Sequence, residues 1–145
     1  MYSVGRLGFP EGEWDDEEDH RGWCDEKTGL MCMVKRNYFG TFCGYVRIPY
    51  HHPLFRVDYT HSKVSELDPH GGITYAGSVM PGTNQSDEAW WWLGFDCNHS
   101  FDLAPAGVGG CRDGMPYRNL EYVTEEVTRL ASNLIPSPYE KGKRE

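Results

Sequence analysis

The sequence predicts a single α+β domain: a mostly antiparallel sheet covered by one C-terminal amphipathic helix, with long loops. Three observations lead there. Apolar and aromatic runs of strand length, at residues 30–38, 41–48 and 89–97, are separated by links that carry Gly and Pro. One segment, residues 120–134, repeats apolar residues at helical spacing. The 17 Gly and 9 Pro among 145 residues argue against a helical bundle. A chain of this length buries roughly 70% of its unfolded surface, so it needs neither a disulfide nor a metal merely to stay folded. An aromatic content of 14% argues against disorder.

Residues 1–26 hold nine acids and two bases, a charge of −7, whereas residues 27–145 hold thirteen acids and twelve bases, a charge of −1. The organisation therefore reads as an acidic, mobile leader over 1–26, one domain over 27–135 and a polar tail over 136–145. Trp14 and Trp23 inside the acidic stretch suggest that it docks on something. Lys27-Thr28-Gly29 reads as a turn and 30–38 as a strand. Phe39-Gly40 turns the chain into 41–48, which completes a hairpin. Pro49 ends that strand because it has no N–H to donate to a ladder. Gly71-Gly72 precedes a short strand over 73–77, and 80–87 is a polar loop. The aromatic run 89–97 reads as a central buried strand, with Trp90 and Trp92 on one face and Trp91 on the other. Residues 102–117 form a loop. In the final helix Leu120, Val123, Val127, Leu130, Ala131 and Leu134 share a face. Asn119 is its N-cap, Glu121 sits in the first turn and Glu125 pairs with Arg129. Pro136 and Pro138 stop it.

The longest apolar run, 89–95, spans seven residues. A membrane-crossing helix needs about 20, so no membrane span is expected. No apolar signal-peptide stretch precedes a cleavage site, and a cytoplasmic location is the expectation. The five cysteines, Cys24, Cys32, Cys43, Cys97 and Cys111, then read as thiols, or as metal ligands at most. The net charge of −8 argues against bulk nucleic-acid binding, which rests on clustered Lys and Arg. It leaves room for a small phosphorylated ligand held by one or two arginines.

Polar clusters joined to aromatics stand out: Tyr50-His51-His52-Pro53, Arg56-Val57-Asp58-Tyr59, His70-Gly71-Gly72, and Asp96-Cys97-Asn98-His99 followed by Asp102. A carboxylate at the end of a buried strand, as at Asp96, must be paired, hydrogen-bonded or functional. His70, Asp96, His99 and Asp102 have the ligand chemistry of a metal site. They equally suit structural roles, with the two aspartates capping loops. Asp96–His99 or Asp58–His52 could supply an orienter and a base, yet no Gly-x-Ser-x-Gly elbow or phosphate loop is present. Gly107-Val108-Gly109-Gly110 is glycine-rich but follows no strand. No catalytic residue and no cofactor is assigned. A second reading is a small-ligand pocket. Tyr45, Tyr50, Tyr59, Tyr75 and Trp90 to Trp92 supply flat faces on which a base gains roughly 1–3 kcal/mol. Arg47 and Arg56 could hold a phosphate through their forked donors. Core packing of the tryptophans and surface pairing of the arginines are the alternatives.

Several motifs together resemble a family of small proteins found in bacteriophage and prophage genomes. They are Thr28-Gly29-Leu30 with Cys32; Cys43-Gly44-Tyr45-Val46, Pro49 and His52-Pro53-Leu54; Asp58-Tyr59; His70-Gly71-Gly72-Ile73-Thr74-Tyr75; Trp91-Trp92, Gly94-Phe95-Asp96-Cys97, His99 and Asp102; and Tyr117-Arg118-Asn119-Leu120 with Tyr122-Val123. The resemblance spans roughly residues 22–135. Phe55-Arg56 departs from it, where a small residue would be expected. The resemblance implies phage origin and a protein made in the cytoplasm of an infected host. That setting, with the aromatic and arginine chemistry, suggests a non-enzymatic protein that sequesters a small nucleotide-derived immune signal, acting as a homo-oligomer. Its expected ligand-binding residues are Tyr45, Arg47, His52, Arg56, Asp58, His70, Trp91, Asp96 and His99. The alternatives are a metal-dependent hydrolase built on His70, Asp96, His99 and Asp102, an acidic inhibitor that masks a basic host surface, and a structural part of the virion.

Overall fold

A computed structural model describes residues 3–107 and 114–135. Five strands form one antiparallel sheet in the order β1-β2-β3-β5-β4: β1 His20–Cys24, β2 Met31–Arg36, β3 Phe42–Pro49, β4 Tyr75–Gly77 and β5 Trp90–Asp96. A one-turn helix, α1 (Ser62–Ser65), lies in the long β3–β4 connection, and the main helix, α2 (Leu120–Leu134), follows the sheet. This is the α+β architecture that the strand runs and the single amphipathic segment predict. Among the described residues, no helix is long and apolar enough to cross a membrane.

Register explains which side chains meet α2. Trp23, Cys32, Val46, Leu93 and Ala76 are directly opposed across all five strands and form one row on the helix-facing side. Val34, Gly44 and Phe95 form the row beside it. Against them α2 buries Leu120, Val123, Val127, Leu130, Ala131 and Leu134, the apolar set that its spacing marks. Gly44 is what lets helix and sheet approach so closely. A Cβ there would lie 2.5 Å from Val127 Cγ2 and 2.6 Å from Phe95 Cζ, so any larger residue must push the helix outward. Asn119 caps α2 by accepting a hydrogen bond from the Tyr122 amide at 2.9 Å. Arg129 does not pair with Glu125, as the i,i+4 rule led us to expect. It bonds Glu126 (3.0 Å) and the backbone carbonyl of Asp68 (2.6 Å), because the turn before His70 lies within its reach.

The acidic N-terminal stretch supplies an edge strand and a clamp. β1 lies inside it and pairs with β2 over five residues. Glu17 accepts hydrogen bonds from Tyr117 Oη (2.6 Å) and from the backbone N–H of Leu120 at the start of α2 (2.7 Å), where a carboxylate also suits the helix dipole. Arg36, with a side chain only 4% exposed, bonds Asp19 at 2.8 Å and the Gly40 carbonyl at 2.7 Å. Trp14 meets Tyr117 edge-on at 5.1 Å. Cys111, the glycines 109–110, the helix-stopping prolines and the tail 136–145 lie outside the described residues.

Two outcomes follow. Gly44→Ala should destabilise the protein by about 1–3 kcal/mol, read as a lower urea midpoint. The second concerns Asp19, whose carboxyl is held at about 2 rather than 3.8, chiefly by its hydrogen bond from Arg6, with burial opposing and Arg36 assisting. A carboxyl depressed in the folded state stabilises above its unfolded pKa and loses that contribution as the pH falls. The wild type should therefore lose stability between about pH 4 and 2, and Asp19→Asn should lose less across that window in acid titrations followed by circular dichroism.

Candidate functional site

The expected site residues separate into distinct places. The first gathers His70, Asp96, His99 and Asp102. Asp102 is fully buried, at 0% exposure, and such a carboxylate persists only if its oxygens are fully engaged. His70 Nε2–H donates to it at 2.8 Å, His99 Nδ1–H at 2.8 Å, the His99 backbone N–H at 3.1 Å and Arg118 Nε at 2.8 Å. Burial works to raise the carboxyl, but the hydrogen bonds from His70, Arg118 and His99 outweigh it and hold it far below the usual carboxylate range.

Local structure explains the convergence. Gly71, at φ +73°, lets the 69–72 turn pass tight against the His99 ring, where a Cβ would collide. His99 stacks on Phe101 with centroids 4.9 Å apart and an interplanar angle of 7°. The outer nitrogens of both imidazoles also have polar neighbours. His70 Nδ1 lies at hydrogen-bond distance from Tyr122 Oη, 2.8 Å, and His99 Nε2 lies 3.7 Å from Asp96 Oδ1. The His70 amide donates to Glu126 at 2.8 Å. Asp96 also caps its loop, accepting from the Asn98 amide (3.0 Å) and Thr74 Oγ1 (3.1 Å).

The second place is the sheet face away from α2. There Cys24, Met31, Arg47, Trp92 and Gly77 form a row. The Arg47 guanidinium sits 3.6 Å from the Trp90 ring centroid, a cation–π contact. Its Nε is buried and has no hydrogen-bond partner among the described residues. Burial lowers the Arg47 pKa, partly offset by Asp87. Arg47 and Trp90 border two hollows. One, of about 230 Å³, is lined also by Ser78, Gln85, Ser86, Asp87 and Trp92. The other, of about 290 Å³, is lined by Cys24, Met31, Pro49 and His51 among others.

The remaining expected residues go elsewhere. Tyr45 shares the open face but packs edge-on against Tyr75 at 5.9 Å, outside both hollows. Trp91 turns to the helix side and packs beside Phe55 and the core. His52 bridges the Leu134 carbonyl and the Leu54 amide. Arg56 is exposed and pairs with Glu88, while Asp58 caps the turn at Tyr59 and Thr60. Arg118, Tyr122 and Glu126 in the buried network, and Gln85 at one hollow, are not among the expected site residues, while Trp90 and His51 enter the sequence reading only as a flat face and as part of a polar cluster. Helical spacing from Tyr122 to Glu126 was available, but nothing local ties either to His70. Burial pushes the Cys43 thiol up to about 11 and the Cys32 thiol up to about 12, which disfavours both as thiolate nucleophiles.

No family model, curated protein or solved structure matches the chain.

Replacing Asp102 with a similar-sized apolar residue would strand two imidazoles and a guanidinium. Asp102→Leu should cost about 3–5 kcal/mol in urea unfolding, whereas Tyr122→Phe, which removes one neutral hydrogen bond, should cost about 0.5–1.5 kcal/mol.

Proposed function

We propose that this chain is a phage-encoded, non-enzymatic binding protein that captures a small nucleotide-derived signalling molecule, with Arg47 and Trp90 at the centre of the binding surface. The observation that carries the reading is Arg47: a charged side chain in the middle of the sheet, stacked on an indole, with a buried N–H that no group among the described residues accepts. A buried donor without an acceptor costs about 1–3 kcal/mol, a cost that a bound anion would remove.

The two hollows differ in a way that orients such a ligand. The 230 Å³ hollow contains the Asp87 carboxylate together with Ser78, Gln85 and Ser86. It suits a neutral ring edge that both donates and accepts hydrogen bonds. The 290 Å³ hollow has no acid in its lining and offers His51 beside Arg47, so it suits the anionic group. Both lie at or below the lower end of ordinary ligand sites, about 300–1,000 Å³. The ligand is therefore a mononucleotide-sized molecule, or a larger one lying across the Arg47–Trp90 divide. The resemblance of its motifs to those of small phage and prophage proteins is what suggests the biological setting. Capture as a homo-oligomer inside an infected cell belongs to the same reading.

Native mass spectrometry of protein taken from cells that express an active nucleotide-signalling system tests it. The expected result is an unchanged nucleotide retained per site and released on denaturation, with the oligomer mass read in the same spectrum. Arg47→Ala should weaken binding of that nucleotide by about 10–100-fold in calorimetry, the loss of one charge-assisted contact. A wild-type protein that leaves cyclic and ADP-ribose-type nucleotides free in solution overturns the proposal. Recovery of a cleaved product would make the chain an enzyme instead.

A further inference from the structure

The buried network on the other side of the molecule carries a separate inference, independent of the ligand reading above. We propose that His70, His99 and Asp102 form a three-ligand site for a divalent transition metal of the zinc class, with one coordination position left for water. One ligand atom from each residue lies within 4.8 Å of the others. Two imidazoles and one carboxylate are an established donor set for zinc, with metal–ligand distances of about 2.0–2.2 Å. Tetrahedral geometry at those distances separates ligand atoms by roughly 3.3–3.6 Å. The contacts to Asp102 Oδ2, 3.0 Å from His70 Nε2 and 2.8 Å from His99 Nδ1, need only open by well under an ångström.

Partners on the far side of each ring separate this from an ordinary polar cluster. A metal-bound histidine donates its other ring N–H to an oxygen, which fixes the ring and its tautomer. His70 has Tyr122 Oη in that position at 2.8 Å, and His99 has the Asp96 carboxylate at 3.7 Å. Gly71 and Phe101 set the His99 ring from either side. The His99 side chain is 22% exposed, which provides an entry path. Arg118 opposes a cation here. It remains on Asp102 Oδ1 while Oδ2 turns to the metal, and the carboxylates of Asp96 and Glu126 help offset the added positive charge.

The proton balance is specific. Without metal, Nε2 of His70 and Nδ1 of His99 carry the protons that point at Asp102. On binding, each proton moves to the other nitrogen of its own ring. The new donors are His70 Nδ1–H to Tyr122 Oη and His99 Nε2–H to Asp96. No net proton is released, and both tautomers invert.

The experiment titrates metal-stripped full-length protein with Co²⁺ and Zn²⁺. It reads stoichiometry by calorimetry, tetrahedral Co²⁺ by visible absorption, and the imidazole tautomers by nitrogen-15 NMR. The expected result is one equivalent per chain, reversed by chelator, with inversion of the His70 and His99 tautomers. His99→Ala should lower affinity at least about 100-fold, and Asp96→Asn about 10–100-fold with the fold intact. If His99→Ala does not fold, the wild-type tautomer spectra decide alone. Unchanged tautomers at saturating metal, metal bound equally well by a folded His99→Ala variant, or no binding at ~100 μM free metal, a level that would load any site of ordinary zinc affinity, would each overturn the proposal.

Discussion

One buried carboxylate constrains more of this molecule than any other single group. Asp102 has no access to water, so its charge must be met by protein donors. Those donors come from the turn before β4, the loop after β5 and Arg118 in the segment leading into α2. Satisfying Asp102 therefore fixes three connections relative to one another. Through the Tyr122 bond to His70 it also sets the rotation of the helix over the sheet. The loops at this end are held by charge and hydrogen bonds, whereas the strands and α2 are held by apolar burial. A network of this kind is stabilising only while every member is satisfied.

The sheet divides the chemistry of the protein in two. The helix-facing side is dry and apolar, narrowed by Gly44 until helix and strands touch. The other side carries Arg47, Tyr45, Trp90 and Trp92 and is partly roofed by the β4–β5 loop, whose Gly82 lies on the Lys35 side chain. An alternating strand makes this separation unavoidable, since successive residues of β3 must serve opposite faces. Hence Arg47 and Ile48, neighbours in the chain, belong to a polar surface and to the core.

Elements whose information is local were legible in the sequence. The apolar spacing of α2, its Asn119 cap and the opposite faces of Trp90 and Trp91 all follow from periods of 3.6 and 2. The hairpin of β2 and β3 followed from the short glycine link. What escaped depends on long-range geometry. Arg129 had two acidic neighbours on its own helix, and the choice went to Glu126 because Asp68 adds a third partner on that side. Four members of the buried network, His70, Asp96, His99 and Asp102, were visible. Tyr122, Arg118 and Glu126 were not, because their partnership with His70 and Asp102 crosses up to 56 residues of chain. Trp91 was a reasonable choice by composition, but the register places Trp90, not Trp91, beside Arg47.

The contact between Glu17 and the first turn of α2 joins residues 103 apart in sequence. During synthesis the acidic stretch leaves the ribosome long before its partner exists. The β1-β2-β3 hairpins can assemble from neighbouring segments, while the clamp and the helical cover must wait for α2 at Leu120–Leu134. Until then the apolar rows of the sheet stay uncovered, and early hairpins of this kind are prone to associate with other chains. Residues 1–26 carry a net charge of −7, and like charge disfavours such association.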